Sequence, residues 1–286
     1  MRVAPVVQAA HCLLRLGLFA FALSSLGAGA AQFPLWEAGA GVAAINFPDY
    51  RGSDERQTYV LPVPYLVYRG DFLKVEDQRV RGLFFKNERA ELEVSVNGSV
   101  PVKSNDNQAR RGMPDLDPTL EVGPSLNFFL HRSPDRKFKL DLRLPVRAVI
   151  ATDLSHVKHV GWVFQPNLSL DIKDVFDHPG WKLGLLAGPV FADRRYHEYI
   201  YGVDPAFATA SRPAYRAGGG YAGSQFIAAI SKRYPSLWVG GFMKWDTLNG
   251  AVFADSPLVK TKQYFTAGFA VSWVFARSDK YVDANE

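Results

Sequence analysis

Apolar and polar residues alternate along much of the chain. In K-F-K-L-D-L-R-L-P-V-R-A-V-I, residues 137–150, every even position is apolar, from Phe138 to Ile150. The odd positions carry Lys137, Lys139, Asp141, Arg143 and Arg147. A period of two marks a β-strand with two unlike faces. The pattern recurs at 119–130, 160–173, 181–191 and 265–275. In the last run Phe265, Phe269, Val271, Trp273 and Phe275 share one face, and the other holds Gly268, Ala270 and Ser272. Ordinary strands run about five or six residues. A tilted strand crossing an outer membrane needs about nine to eleven. These runs reach that length.

The connections alternate as well. H-R-S-P-D-R (131–136), V-F-D-H-P-G (175–180) and S-K-R-Y-P-S (231–236) are short and rich in turn formers. Longer polar segments occupy 101–118, 151–159, 192–218 and 247–260. Strands running up and down through a membrane give this result, with turns in the periplasm and loops outside. The pattern predicts an all-β transmembrane antiparallel up-and-down barrel of about twelve strands. They fall near 35–46, 58–69, 72–79, 82–88, 90–100, 119–130, 137–150, 160–173, 181–191, 219–231, 236–246 and 262–275.

Periodicity alone does not tell inside from outside, because a soluble sandwich or lipocalin-like barrel also alternates. Strand length, an export signal and the aromatic last strand favour the membrane. The apolar faces then meet lipid, and the charged faces meet a polar lumen. With no water in lipid, the sheet must close on itself. Trp162, Trp181, Trp245 and Trp273 suit interfacial girdles. Pro145, Pro166 and Pro189 each remove a ladder hydrogen bond, and they predict a bulged rim on the outer half of neighbouring strands.

The N-terminus reads as a cleaved secretory signal over 1–31. Arg2 and Arg15 precede the apolar run Leu16–Leu23, and G-A-G-A-A at 27–31 offers cleavage after Ala30 or Ala31. The lone cysteine, Cys12, lies inside this segment, so no disulfide framework or thiol nucleophile is expected in the mature chain. The barrel is expected over 32–275, followed by a polar C-terminal tail over 276–286. The 286 residues carry a formal net charge of +5, with basic groups spread along the chain. No clustered basic helix or aromatic motif points to nucleic acid.

Several segments together resemble the MipA/OmpV (MltA-interacting protein) family of Gram-negative outer-membrane proteins. They are P-D-Y-R-G-S-D (48–54), L-P-V-P-Y-L-V-Y-R-G-D (61–71), R-R-G-M-P-D-L-D-P-T-L-E-V-G-P (110–124), Y-I-Y-G-V (199–203), R-P-A-Y-R-A-G-G-G (212–220) and D-S-P-L-V (255–259). The resemblance runs from about residue 35 to Phe275. It implies an outer-membrane barrel among lipid and lipopolysaccharide. It also implies a closing strand read by the barrel-assembly machinery, here through Thr266, Gly268, Val271, Trp273 and Phe275. A scaffold role is implied between a lytic transglycosylase and a bifunctional peptidoglycan synthase. Other members are linked to adhesion, osmotic stress or drug uptake.

Little in the chain reads as catalytic. His131 and His178 fall in predicted periplasmic turns, and His156, His159 and His197 in outer loops. None stands beside a serine in a recognisable strand motif, and adjacent Ser155 and His156 do not make a triad. H-V-K-H (156–159) with Asp193 and His197 has no spacing that fixes a metal. The glycines at 218–220 precede a strand, so they do not form a phosphate cradle. No cofactor is expected.

Asp141, Arg143, Arg147, Asp171 and Lys173 are expected to face the lumen, where mixed signs favour a polar network. The loop at 192–218 offers a binding surface through Arg194, Arg195, Tyr196, Tyr199, Tyr201, Arg212, Tyr215 and Arg216. Arginine forks suit lipopolysaccharide phosphates, and tyrosines suit a protein surface. The expected function is that of a non-enzymatic scaffold for murein-synthesising and murein-degrading enzymes. A small solute or drug channel, or an adhesin acting through the outer loops, is the alternative.

Overall fold

The structure is a computed structural model, and it describes residues 32–70, 73–76, 79–153, 155–175 and 178–283. The expected signal over 1–31, with Cys12, Ala30 and Ala31, lies outside the described residues. The strands are β1 (Gln32–Pro34), β2 (Trp36–Pro48), β3 (Arg56–Arg69), β4 (Leu73–Glu76), β5 (Arg79–Lys86), β6 (Ala90–Ser99), β7 (Thr119–Arg132) and β8 (Phe138–Thr152). They continue as β9 (Val157–Phe164), β10 (Asn167–Lys173), β11 (Trp181–Ala192), β12 (Gly220–Arg233), β13 (Leu237–Thr247), β14 (Gln263–Arg277) and β15 (Tyr281–Asp283). Among the described residues one α-helix, α1 (Arg194–Tyr201), sits in an outer connection.

Thirteen strands, β2 to β14, form one antiparallel sheet in chain order. β9 and β10 lie end to end between β8 and β11, so the sheet has twelve staves. The ladder from β14 to β2, Ala267↔Asn46 through Arg277↔Glu37, closes it into a barrel. All backbone ladders then run strand to strand, which lets a sheet stand in lipid.

The faces divide as the alternation requires. On β14, Phe269, Trp273 and Phe275 are exposed at 63%, 65% and 67%, while Ser272, Val274 and Tyr264 are buried. On β8, Asp141 and Arg147 are buried and Val146 is exposed. Exposed Val60, Leu66, Leu120, Leu126, Trp162, Leu168, Phe226 and Ile230 continue the outward apolar belt.

Two of the three marked prolines interrupt the wall. Pro166 falls in the break between β9 and β10, and the β11–β12 ladder shifts register between Pro189 and Phe191. Pro145 does not, because the β7–β8 ladder stays in register across Ser125↔Pro145 and shifts only between Phe129 and His131. The end of the chain also differs from a plain tail. β14 runs on to Arg277, and Tyr281–Asp283 pairs with Gln32–Pro34 as a two-stranded ribbon.

Charged side chains on the inward faces pair across staves. Arg147 Nε donates to Glu121 Oε2 at 2.9 Å, and its other nitrogens reach Ser95 and Gln165. Asp141 lies 2.5 Å from Arg132 and 3.6 Å from Arg143, and Arg143 also reaches Asp171 at 3.4 Å. Lys173 lies on the same face of β10 as Asp171 and Ser169. Truncating one member of a buried ion pair leaves the other uncompensated, at about 3–5 kcal/mol. Arg147→Ala should therefore lower barrel stability by that order, and Arg147→Met with Glu121→Gln should recover much of it. Urea unfolding in micelles, followed by heat-modifiable migration, measures both. A single variant as stable as the parent would show that the pair is not needed.

Candidate functional site: the outer cap and the periplasmic closure

The buried apolar cluster of the described residues lies at the outer mouth. Four outer connections, 49–55, 100–118, 193–219 and 248–262, meet there in one apolar cluster. Tyr50, Val102, Leu116, Tyr201, Val203, Leu248, Phe253 and Leu258 come from the connections or their edges. Val149, Ala151, Val160, Val163, Val190 and Ala192 come from the upper inner wall. Loops and wall thus share one core, so the loops are seated in the mouth.

Helix α1 organises this cap. Asp193 caps it by accepting from the Tyr196 N–H at 2.9 Å. The helix packs on β9 at Gly161, whose φ is +140°. A Cβ there would stand 2.2 Å from Asp193 Oδ1 and 2.7 Å from the Tyr196 nitrogen. Tyr201 stacks on Phe253 with ring centroids 3.7 Å apart. Its hydroxyl donates to the Arg51 carbonyl at 2.9 Å, and Ser256 Oγ donates to the Tyr201 carbonyl at 2.8 Å.

Three arginines tie loops to each other and to the wall. Arg51 reaches Asp246 on β13 at 3.0 Å and donates to the Ala222 carbonyl on β12 at 2.9 Å. Lys244 meets the same Asp246 at 3.0 Å. Arg110 donates to the Ile200 carbonyl at 2.7 Å. Arg212 donates to the carbonyls of Phe207, Ala109 and Arg111.

The loop surface expected from sequence is therefore divided. Tyr201 and Arg212 are buried inside the cap and cannot meet a partner, because their polar groups already hold loop backbone. Tyr196, Tyr199 and Tyr215 are half-buried, and Tyr199 accepts from the Asp117 N–H at 2.8 Å. Arg194, Arg195 and Arg216 stay exposed. Arg194 and Arg195 line an outward cavity of about 630 Å³ with Lys158, Val160, Asp193, Glu198 and Tyr199. Arg51, Asn107, Arg110 and Phe253 were not singled out by the sequence reading. Arg51 and Arg110 do stand in the segments that carry the family resemblance.

Among the described residues no three His, Cys, Asp or Glu groups form a metal cluster. His156 is exposed, and Asp153 Oδ1 accepts from the backbone N–H groups of Ser155 and His156, which makes that segment a capped turn. His159 Nδ1 lies 3.2 Å from Arg195. His197 is 1% exposed; its Nδ1 donates to the Gly218 carbonyl at 2.7 Å, and Nε2 has no partner.

At the other end, the chain termini close on the barrel floor. Leu35 N–H donates to the Lys280 carbonyl at 2.8 Å, and Ser278 N–H to the Trp36 carbonyl at 2.9 Å. Glu37 anchors this region. It is 5% exposed and holds Arg69 at 2.9 Å and Arg233 on its other oxygen. Arg69 also donates to the Pro34 carbonyl at 2.7 Å and covers the Phe33 ring at 5.2 Å. Phe33, Trp36, Tyr234 and Tyr281 remain exposed at this end.

Burial lowers the pKa of His197 below its ordinary 6.5, and Arg51 acts in the same direction, against the Gly218 bond. Asp193 opposes this weakly, and Tyr196, Tyr201 and Phe253 supply the rings around it. The unfolded cap binds this proton more readily, so His197 stabilises the cap above about pH 6.5 and loses that contribution as pH falls. Hydrogen exchange over 194–218, corrected for intrinsic rates, should rise between pH 7.5 and 5.5. His197→Gln should remove the dependence; a parent cap equally protected at both pH values would refute it. Gly161→Ala should unseat α1 and speed exchange over 194–201 already at pH 7.5.

The profile of the family described as MltA-interacting protein MipA matches residues 40–275. No curated protein matches the chain. Among solved structures, a bacterial polysaccharide outer membrane secretin is 9% identical, with 84% of this chain and 99% of that chain covered and a TM-score of 0.42. Pseudomonas putida OprB is 11% identical, with coverage of 69% and 47% and a TM-score of 0.38. A Pseudomonas aeruginosa FadL homologue is 10% identical, with coverage of 75% and 60% and a TM-score of 0.29. The match over nearly all of a closed, apolar-belted barrel settles the kinship: the chain belongs to the MltA-interacting protein MipA family and is an outer-membrane β-barrel.

Proposed function

We propose that this barrel is a non-catalytic interaction protein that holds murein-remodelling enzymes at the inner surface of the outer membrane. The family description supplies the partner class, a lytic transglycosylase. A bifunctional peptidoglycan synthase is the second expected partner. The observation that carries the reading is the terminal ribbon. Short periplasmic turns alone offer little surface for a partner. β1 and β15 add an ordered platform beside them, with Phe33 and Tyr281 exposed at 42% and 50%. Exposed aromatics beside hydrogen-bonding backbone are what a protein interface uses. The seated cap favours this role over a pore running straight through the barrel.

A photo-crosslinking residue in place of Tyr281 should give an adduct with a lytic transglycosylase in living cells. The same residue in place of lipid-facing Val42 should not. Correct insertion with no adduct at Tyr281, Phe33 or the 131–136 turn would overturn the proposal.

A further inference from the structure

The upper end of β9 departs from a regular strand. Its ladder with β8 pairs Val149↔Gly161 and then Ile150↔His159, so Val160 is an extra residue and the strand bulges there. Helix α1 packs beside the bulge, over Gly161. Between the bulged strand and the first turns of α1 opens the outward cavity of about 630 Å³. Lys158 lines it from β9, and Arg194 and Arg195 line it from α1.

Two carboxylates, Asp193 and Glu198, also line the cavity, but both are turned to backbone. Asp193 Oδ1 accepts from the Tyr196 N–H at 2.9 Å, close against Gly161. Glu198 Oε2 accepts from the Ala217 N–H at 2.6 Å, and its Oε1 folds back over Gly202, where a Cβ would stand 2.9 Å from it. The cations are not committed in this way. Lys158, Arg194 and Arg195 are exposed. Among the described residues the side chains of Lys158 and Arg194 have no ion-pair or hydrogen-bond partner. Arg195 reaches the His159 ring, at 3.2 Å from Nδ1. A guanidinium only donates, so that nitrogen is an uncharged acceptor and leaves the charge of Arg195 uncompensated.

Trp162 marks the height of the cavity. It stands opposite Ala148 on the lipid-facing side of β9 and is 48% exposed. Tryptophans in such positions sit at headgroup level. His159 packs edge-on against Trp162 with ring centroids 5.6 Å apart, and Arg195 meets the same imidazole. A path of contacts therefore runs from a lipid-facing tryptophan to an arginine of the cavity. Lys158 lies four residues above Trp162. That is about 13 Å along the strand, and less along the membrane normal because the strands tilt.

We propose that this cavity holds a phosphate monoester on the sugar headgroup of an outer-leaflet lipid, the chemistry that lipopolysaccharide carries. A phosphate offers several anionic oxygens to two guanidinium forks and an ammonium. The contact path from Trp162 through His159 to Arg195 favours a lipid over a soluble phosphate, because it joins the cavity to the lipid-facing surface. The acyl chains stay on the outward apolar belt beside Trp162 while the phosphate turns in towards Lys158, Arg194 and Arg195. This site is at the opposite end of the barrel from the terminal ribbon, so its test does not depend on the scaffold reading.

The test takes the barrel from outer membranes into nonionic micelles, strips it of lipid and titrates it with diphosphoryl lipid A, read by native mass spectrometry. Lys158→Gln, Arg194→Gln and Arg195→Gln together should weaken binding at least about tenfold, the scale of one charge-assisted hydrogen bond. The same charge loss elsewhere on the cap, at exposed Lys103, Lys260 and Lys262, should leave binding within about twofold, because distant charges are screened by salt. Dephosphorylated lipid A should bind the parent as weakly as diphosphoryl lipid A binds the cavity variant. Glucosamine 1-phosphate at the concentration of the lipid should not displace it. Should the triple cavity variant fail to insert, Arg194→Gln alone decides, with an expected loss of at least about threefold. Equal losses in the cavity and control variants, or equal affinity with and without phosphate, would overturn the proposal. Displacement by glucosamine 1-phosphate would overturn it in favour of a soluble ligand.

Discussion

Every backbone donor and acceptor within a bilayer needs a protein partner, because lipid offers none. That requirement explains the length of the strands, the closure of β14 on β2 and the strict alternation along each stave. It also explains where irregular backbone is found. The break at Pro166 and the shift at Pro189 lie beside the cap, where loop and helix groups stand close. Gln165 N–H, next to the break, donates to the Pro145 carbonyl at 3.2 Å. Asp193 N–H donates to the Trp162 carbonyl at 3.1 Å. Irregularity is placed where neighbours can take up what the ladder releases.

Closing a sheet of this width leaves a lumen whose charges must be compensated. The chain solves this by pairing across staves. Glu121 on β7 meets Arg147 on β8, Asp141 on β8 meets Arg132 on β7, and Glu37 on β2 meets arginines from β3 and β12. Such pairs contribute little net energy against a well-packed apolar alternative, but leaving either member alone is expensive. They therefore act as register pins: a one-residue slip would turn one partner towards lipid. The cap uses arginine differently. Arg110 and Arg212 donate to backbone carbonyls from other loops, so they join segments with no ladder of their own.

Strand positions were legible because alternation is a property of each strand alone. The expected strand at 119–130 is Thr119–Arg132, and that at 181–191 is Trp181–Ala192. The closing segment was less legible. A-R-S-D-K-Y-V-D-A-N-E reads as a polar tail, and its Tyr281–Asp283 strand depends on Gln32–Pro34 at the far end of the chain. No local pattern announces such a pairing. The cap was hidden for the same reason. Tyr201 and Arg212 look like surface residues in a long polar loop, and only the arrival of 49–55 and 248–262 at Tyr201, and of 100–118 at Arg212, buries them. Yet most segments carrying the family resemblance, including 48–54, 110–124, 199–203, 212–220 and 255–259, meet in or beside this cap. They were legible as motifs before they were legible as neighbours.

The two halves of the barrel solve the same interior problem with different chemistry. From β6 to β10 the inner wall is filled by long charged and amide side chains that bond across staves. From β12 to β3 glycine, alanine and a few aromatics take the middle of the wall, including Phe47 stacked on Tyr59 with centroids 5.3 Å apart, and ion pairs stand towards its ends, Glu37 with Arg69 and Arg233 and Asp246 with Lys244. Polar filling needs continuous neighbours on both sides, because each group must find a partner. Apolar filling does not, because its surfaces need only be covered. The short pairing of β3 with β4, at Tyr68 and Arg69 alone, falls on the apolar side. Pro62 and Pro64 on the apolar side already forgo two donors that a closed ladder there could have used.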